Sequence, residues 1–395
     1  MKGLRQVFAV ISLNLRNLPQ RMASSLVAIV GVAAVVLVFA AVLSMAKGFE
    51  HTMISAGSDD TAIVLRSGAT SELNSGLSNE QALIVTNAPG VLKDGDTPIV
   101  SSELYVIIDV KKKSNNSDAS LPFRGIQAGA FDVRNNVVLA EGRMFEEGKN
   151  EFIVGRSAQR EFEGLEIGDT IQFGQTQWTV VGSFDAGGSV SESELWTDVR
   201  VLQGAYRRGN SYQSVRVKLE NADSLQVLKD TLADDPRIDA EVKTERDYYS
   251  GQAEGLTKFI KGVGYPLTFL MAIGAMFGAL NSMYSSVSVR GKEIATLRAL
   301  GFGPGAVLLS TIVESTLLAL VGGLIGGVIA FLVFNGLQVS TLNGPSFSQV
   351  VFNFAVTSEL LVQGLQAALI IGVVGGFFPA IRAARLPVAQ ALREL

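Results

Sequence analysis

The chain has 395 residues, 48% of them hydrophobic and only 18% charged, with 41 glycines, one histidine and no cysteine. Soluble globular chains carry about 25% charged residues, so charge is thin, and the mean hydropathy of +0.32 agrees. Without cysteine there is no disulfide, thiolate zinc site or thiol nucleophile. With His51 as the lone imidazole, no multi-histidine metal centre can form and a catalytic triad would have to run through that residue. The formal charge of -4 shows no basic bias toward nucleic acid.

In residues 1–21, Leu4, Val7, Phe8, Ile11 and Leu15 recur at helical spacing with Arg5 and Arg16 on other faces. That predicts an amphipathic helix, either along the inner membrane surface or packed on the spans. Residues 22–46 contain no Asp, Glu, Lys or Arg. About 20 apolar residues cross about 30 Å of hydrocarbon, so this run predicts a first span. A signal peptide's apolar region is about 7–15 residues, so the longer run reads as a retained anchor.

Residues 47–261 hold no comparable run and should form one water-exposed domain. Further spans are expected at 262–289, 307–334, where Glu314 is the one charged residue, and 360–381. Between them lie a 290–306 segment and a 335–359 loop, and a 382–395 tail follows. The fold class is therefore an α-helical membrane protein with four transmembrane helices and a large α+β extracytoplasmic domain inserted between the first two.

Lys2, Arg5, Arg16 and Arg21 precede the first span, Arg290, Lys292 and Arg298 follow the second, and Arg382, Arg385 and Arg393 follow the fourth. Residues 335–359 carry neither Lys nor Arg. The positive-inside rule then places both termini and the 290–306 segment in the cytoplasm. The insert holds 23 basic and 33 acidic residues, against 10 and 4 in the remainder. The modest net charge is thus the sum of two opposed fields.

Within the insert, short strands are expected at 63–65, 105–110, 137–139, 170–173, 178–181 and 214–219. Helices are expected around 155–162 and 224–232. No catalytic constellation and no metal site are expected. The Asp185-Ala186-Gly187-Gly188-Ser189 turn, followed by Trp196, reads either as a contact surface for substrate or partner or as an ordinary turn beside a packed tryptophan.

In the 290–306 segment, Ile294, Leu297 and Leu300 recur every three residues while Lys292, Glu293 and Arg298 are polar, and Gly301 with Gly303-Pro304 stops the helix. This predicts a short amphipathic helix that is either a partner surface or a plain connector. Gly322/Gly326, Gly323/Gly327 and Gly372/Gly376 stand four apart, a spacing that lets helices approach closely. Packing within a subunit and a dimer seam both fit. Glu314 inside a span is costly unless paired; Arg290, Arg298 or headgroup water would relieve it.

Arg290, Glu293, Ile294, Leu297, Arg298, Ala299, Leu300 and Gly301 together form an R-x-x-E-I-x-x-L-R-A-L-G segment that resembles the MacB/FtsX-type ABC transporter permeases. Asn281 and Met283, the series Glu314, Leu317, Leu318, Leu320, Gly322, Gly323, and the ending from Pro379-Ala380 to Ala391-Leu392-Arg393 extend the likeness, although Pro387 falls one position early. Gly142 to Phe145, Glu151 to Gly155 and Gly168 to Gly182 are similar to the family's periplasmic core domain.

The resemblance implies a permease of the bacterial inner membrane whose 290–301 helix seats on an ATPase, with ATP and Mg bound by that partner. The sequence contains no G-x-x-x-x-G-K-[ST] phosphate loop, so the ATPase is expected on another polypeptide and this chain is not itself an enzyme. A second permease subunit, a homodimer partner, is implied, as are a membrane-fusion adaptor or a lipoprotein carrier outside. Export, efflux or extraction of a substrate is the expected role. The alternatives are an FtsX-like subunit that activates a cell-wall hydrolase, and a membrane-anchored enzyme.

Overall fold

The computed structural model describes residues 22–388 apart from Ala222. The helix expected at 1–21 and the end of the tail, 389–395, lie outside the described residues. In chain order the elements are α1 (Met22–Ile54), β1 (Thr61–Arg66), α2 (Asn79–Thr86), β2 (Lys93–Asp94), β3 (Thr97–Pro98), β4 (Val100–Lys111) and β5 (Asp118–Ile126). Then come α3 (Ala130–Val133), β6 (Val138–Gly142), β7 (Glu151–Gly155), α4 (Arg156–Glu161), β8 (Thr170–Phe173), β9 (Thr176–Asp185), β10 (Leu195–Asp198) and α5 (Val199–Ala205). The series ends with β11 (Ser214–Lys218), α6 (Ser224–Asp234), β12 (Ala240–Thr244), α7 (Glu245–Val289), α8 (Gly291–Ala299), α9 (Pro304–Phe334), β13 (Gln338–Asn343), β14 (Ser348–Asn353) and α10 (Ser358–Ala384). The chain divides into two compact units.

The helical unit comprises, among the described residues, 22–47, Phe259–Leu337 and 354–388. Among the described residues, α1, α7, α9 and α10 are long and apolar enough to cross a membrane. Large side chains such as Phe269, Phe277, Leu332 and Ile370 point outward, the pattern of helices solvated by lipid rather than water. Pro304 opens α9 behind Gly303, where proline's missing N–H costs nothing. Thr357 caps α10 by accepting from the Leu360 amide.

Two helices outrun the charge-free segments. α1 continues past residue 46 to Ile54, and α7 begins at Glu245, well upstream of 262. Charges end compatibility with lipid but not helicity; Glu245 and Asp247 in the first turn of α7 suit the positive helix end.

The other unit comprises Gly48–Lys258 and Gln338–Asn353. Its ten-stranded mixed sheet runs β12-β1-β11-β4-β5-β10-β7-β9-β6, with β8 paired to β9. The β5–β10 and β7–β9 pairs are parallel. One core gathers Leu104, Phe123, Phe152, Phe162, Trp178 and Leu195; a second gathers Val64, Val85, Val215, Val217 and Leu228.

The 335–359 segment, expected as a loop, instead holds the β13–β14 hairpin. Val339, Val350, Val351 and Phe352 supply the strand-forming residues. Val351 enters the first core, its amide donates to Ser193 Oγ at 2.9 Å, and Phe352 meets Phe49 edge-on at 5.5 Å. The sheet unit is therefore built from two stretches of chain, not from the insert alone.

Candidate functional site

The short helix α8 meets its neighbours at both ends. Arg290, its N-cap residue, donates from Nη1 to Glu314 Oε2 of α9 at 2.7 Å, and its Nε reaches Glu293 at 3.4 Å. The Arg290 and Glu314 side chains are only 8% and 6% exposed. At the far end, Arg298 Nη1 donates to the carbonyls of Ala384 (3.0 Å), where α10 ends, and of Leu386 (2.9 Å), just beyond it. Gly301, at φ +92°, closes the helix, its amide bonding back to the Arg298 carbonyl.

Ile294, Leu297 and Leu300 do not form the single apolar stripe expected of them. Ile294 is buried against Val287, Val307 and Ala383, Leu297 is half-buried, and Leu300 is 73% exposed. At 3.6 residues per turn a three-residue step falls short of a full turn by about 60°, so the series drifts from the core to the surface. The outward face consists of Lys292, Glu293, Thr296, Ala299 and Leu300.

The spaced glycines pack inside the chain. A Cβ at Gly322 or Gly326 would strike the backbone carbonyl of Ile29 or Ala33 in α1. Gly323 faces Ala368 and Gly327 faces Leu361, both of α10. Gly372 lies against Ala319 and Thr316, and Gly376 against Ser315. Ser315 Oγ completes the contact by donating to the Gly372 carbonyl at 2.8 Å.

In the sheet unit, Asp185 accepts from the Gly187 amide and pairs with Arg156 at 3.3 Å. Gly187 and Gly188 adopt φ of +64° and +74°, and Glu192 accepts from the amides of Ala186 and Gly188. This is a tight, internally bonded turn. Trp196 is no surface contact: it is fully buried, stacks on Phe184 at 4.4 Å and donates from Nε1 to Glu194 at 2.7 Å. Its bulk fills a core with Ile126, Ile153 and Val181.

Trp196 borders a buried ion network. Arg124 grips Glu194 with two bonds of 2.7 Å, Glu72 with bonds of 2.6 and 3.0 Å, and Glu103 at 2.9 Å. Arg134 holds Glu103 through two bonds of 2.7 Å. Arg216 reaches Glu103 (3.1 Å), Glu72 (3.0 Å) and Glu245 (2.6 Å). All seven side chains are buried.

Sheet register brings them together: Arg124 lies opposite Tyr105 and Trp196, and Ser214 opposite Glu103. Burial pushes the Glu103 carboxyl up, but Arg134, Arg216 and Arg124 outweigh it and hold it at about 2. Glu72 is also driven well below the usual carboxylate range: burial opposes, and Arg124 and Arg216 prevail. For the Tyr105 phenol, burial and then Glu194 push the other way, upward.

Comparison with known families decides the class. The model of the MacB-like periplasmic core domain matches residues 23–234, and that of the FtsX-like permease C-terminal region matches 267–388. The chain belongs to the MacB/FtsX-type ABC transporter permeases.

An uncharacterized ABC transporter permease of Methanocaldococcus jannaschii is 22% identical to this permease over 97% of both chains. The macrolide export ATP-binding/permease protein MacB of Neisseria meningitidis is 23% identical over 76% of this permease and 48% of its own length. That of Vibrio parahaemolyticus is 26% identical over 76% and 46%. The permease thus spans about half the length of these MacB relatives. Among solved structures, the periplasmic region of MacB from Actinobacillus actinomycetemcomitans covers 49% of the permease and 92% of its own chain at 15% identity, TM-score 0.37. The extracellular domain of the noncanonic transporter YknZ covers 47% and 100% at 18% identity, TM-score 0.34.

Sequence reasoning missed the ion network of this permease. Its one signal was a lone charge inside each of several apolar strand runs, as with Glu103 before Leu104-Tyr105-Val106 and Arg124 after Leu121-Pro122-Phe123.

Proposed function

We propose that this permease couples ATP hydrolysis by a cytoplasmic ABC ATPase, lying outside these 395 residues, to conformational change in its extracytoplasmic sheet domain. In this reading α1, α7, α9 and α10 cross the inner membrane four times, with both termini and α8 in the cytoplasm, an orientation supported by the distribution of Lys and Arg. ATP and Mg are held by the ATPase, and two permease subunits form the working pair. The work done is export, efflux or extraction of a substrate, with an adaptor or lipoprotein carrier receiving it outside. The name of the Neisseria relative, a macrolide exporter, fits the efflux form.

The observation that carries this reading is α8. It is fastened to α9 and α10 by Arg290 and Arg298, while Lys292, Glu293, Thr296, Ala299 and Leu300 face outward. A 73%-exposed leucine beside charged groups at a helix end offers a partner an apolar centre with a polar rim.

Co-purification of the full chain from its own cells should bring down an ATPase. Leu300→Asp should then abolish permease-stimulated ATP turnover and weaken ATPase retention by about thirtyfold, the 2 kcal/mol scale of an interface anchor. Unchanged retention and turnover would remove α8 as the coupling element. Activation of a cell-wall hydrolase with no exported species would move the function to signalling.

A further inference from the structure

From the geometry around α8 we infer that Arg290 and Arg298 are positioning residues forming a two-point lock, which makes α8 move as one body with α9 and α10. Near the ends of spans, arginines commonly extend toward headgroups and water. Arg290 turns inward instead, to a carboxylate ten residues into α9, about 15 Å from its start at 1.5 Å per residue. Glu314 would be a costly isolated charge there, so each ion stabilises the other's inward position.

Arg298 works through different chemistry. The last carbonyls of a helix have no partners within it, and a cation there is favoured by the helix dipole. Its Nη1 takes one of them, that of Ala384, together with the Leu386 carbonyl just beyond the helix end. Between the two arginines, Ile294 is wedged among Val287, Val307 and Ala383. A connector serving only to join α7 to α9 would need neither bond. Displacing α8 therefore pulls on α9 at Glu314 and on α10 at its C-terminus together. That this displacement is driven by an ATPase rests on the function proposed above; the lock itself does not.

The absence of cysteine makes Thr296→Cys, on the outward face, a unique labelling site. The full chain carrying a nitroxide there is placed in lipid nanodiscs without ATPase. Glu314→Gln and Arg298→Gln should each shorten the label's rotational correlation time severalfold at unchanged helix content. The exchange Arg290→Glu with Glu314→Arg should restore the parent spectrum, and Arg290→Lys should restore it in part.

A label equally immobile in Glu314→Gln and Arg298→Gln overturns the lock. If Glu314→Gln does not fold, Arg298→Gln, which removes bonds to carbonyls and strands no carboxylate, decides alone. ATP turnover by the co-purified ATPase is measured on unlabelled variants. A freed label with full coupled turnover upholds the lock and refutes the coupling function of α8. Lost turnover with a rigid label refutes the lock.

Discussion

Arg124, Arg134 and Arg216 share one buried region with four glutamates, where any single ion would cost several kcal/mol. Bidentate geometry offsets that cost, because planar guanidinium and carboxylate groups satisfy two bonds at once. Removing one member should be far worse than its share: Glu103→Gln withdraws the one carboxylate that all three arginines touch, and about 3–5 kcal/mol of stability should go, read from chemical unfolding in detergent. The depressed Glu103 carboxyl, at about 2 from an ordinary 4.5, fixes a sign. Its unfolded form takes up protons first, so the contribution is complete above pH 4.5 and is lost as pH falls toward 2. Unfolding midpoints measured across that window should fall steeply in the parent and less steeply in Glu103→Gln. Equal slopes would mean that other carboxylates carry the acid response. Sequence reading could see each lone charge but not the assembly, since Glu72 and Arg216 meet only after β1, β4 and β11 have paired.

Among the helices, glycine spacing alone left two uses open, and steric detail separates them. Gly326 sits where a Cβ would enter the Ala33 carbonyl, whereas Gly274 has nothing within 4 Å in the chain. Gly326→Val should therefore destabilise the helical unit by about 1–3 kcal/mol, the scale of overpacking. Gly274→Ala should be neutral or slightly stabilising in detergent, because alanine is the better helix former. Thermal unfolding of the two variants tests the contrast, and equal losses would contradict the packing described. The four apolar runs were legible because length and charge scarcity are local properties. The outward turn of Leu300 was not, for small angular errors accumulate along a helix.

On the scale of the whole chain, sequence separated an acidic insert from basic flanks, and family comparison gave the class. It gave no warning that residues 338–353 complete the sheet unit, because a short span between two apolar runs looks like a loop at any composition. Val350, Val351 and Phe352 are buried there, each contributing about 1.5–3 kcal/mol when fully withdrawn from water. A chain ending at residue 337 should leave residues 48–258 open to limited proteolysis, whereas the full-length protein resists it; equal resistance would make the hairpin dispensable.

That late hairpin also sets an order of assembly. Leu104 and Phe123 belong to the same core as Val351, so that core is complete only once the chain has been synthesised past residue 351. The hairpin emerges only after α9 has been made, which ties completion of the sheet unit to prior synthesis of that long apolar helix. A chain halted before the hairpin would thus carry a sheet unit without its last strand pair, and only a nearly complete chain can finish it.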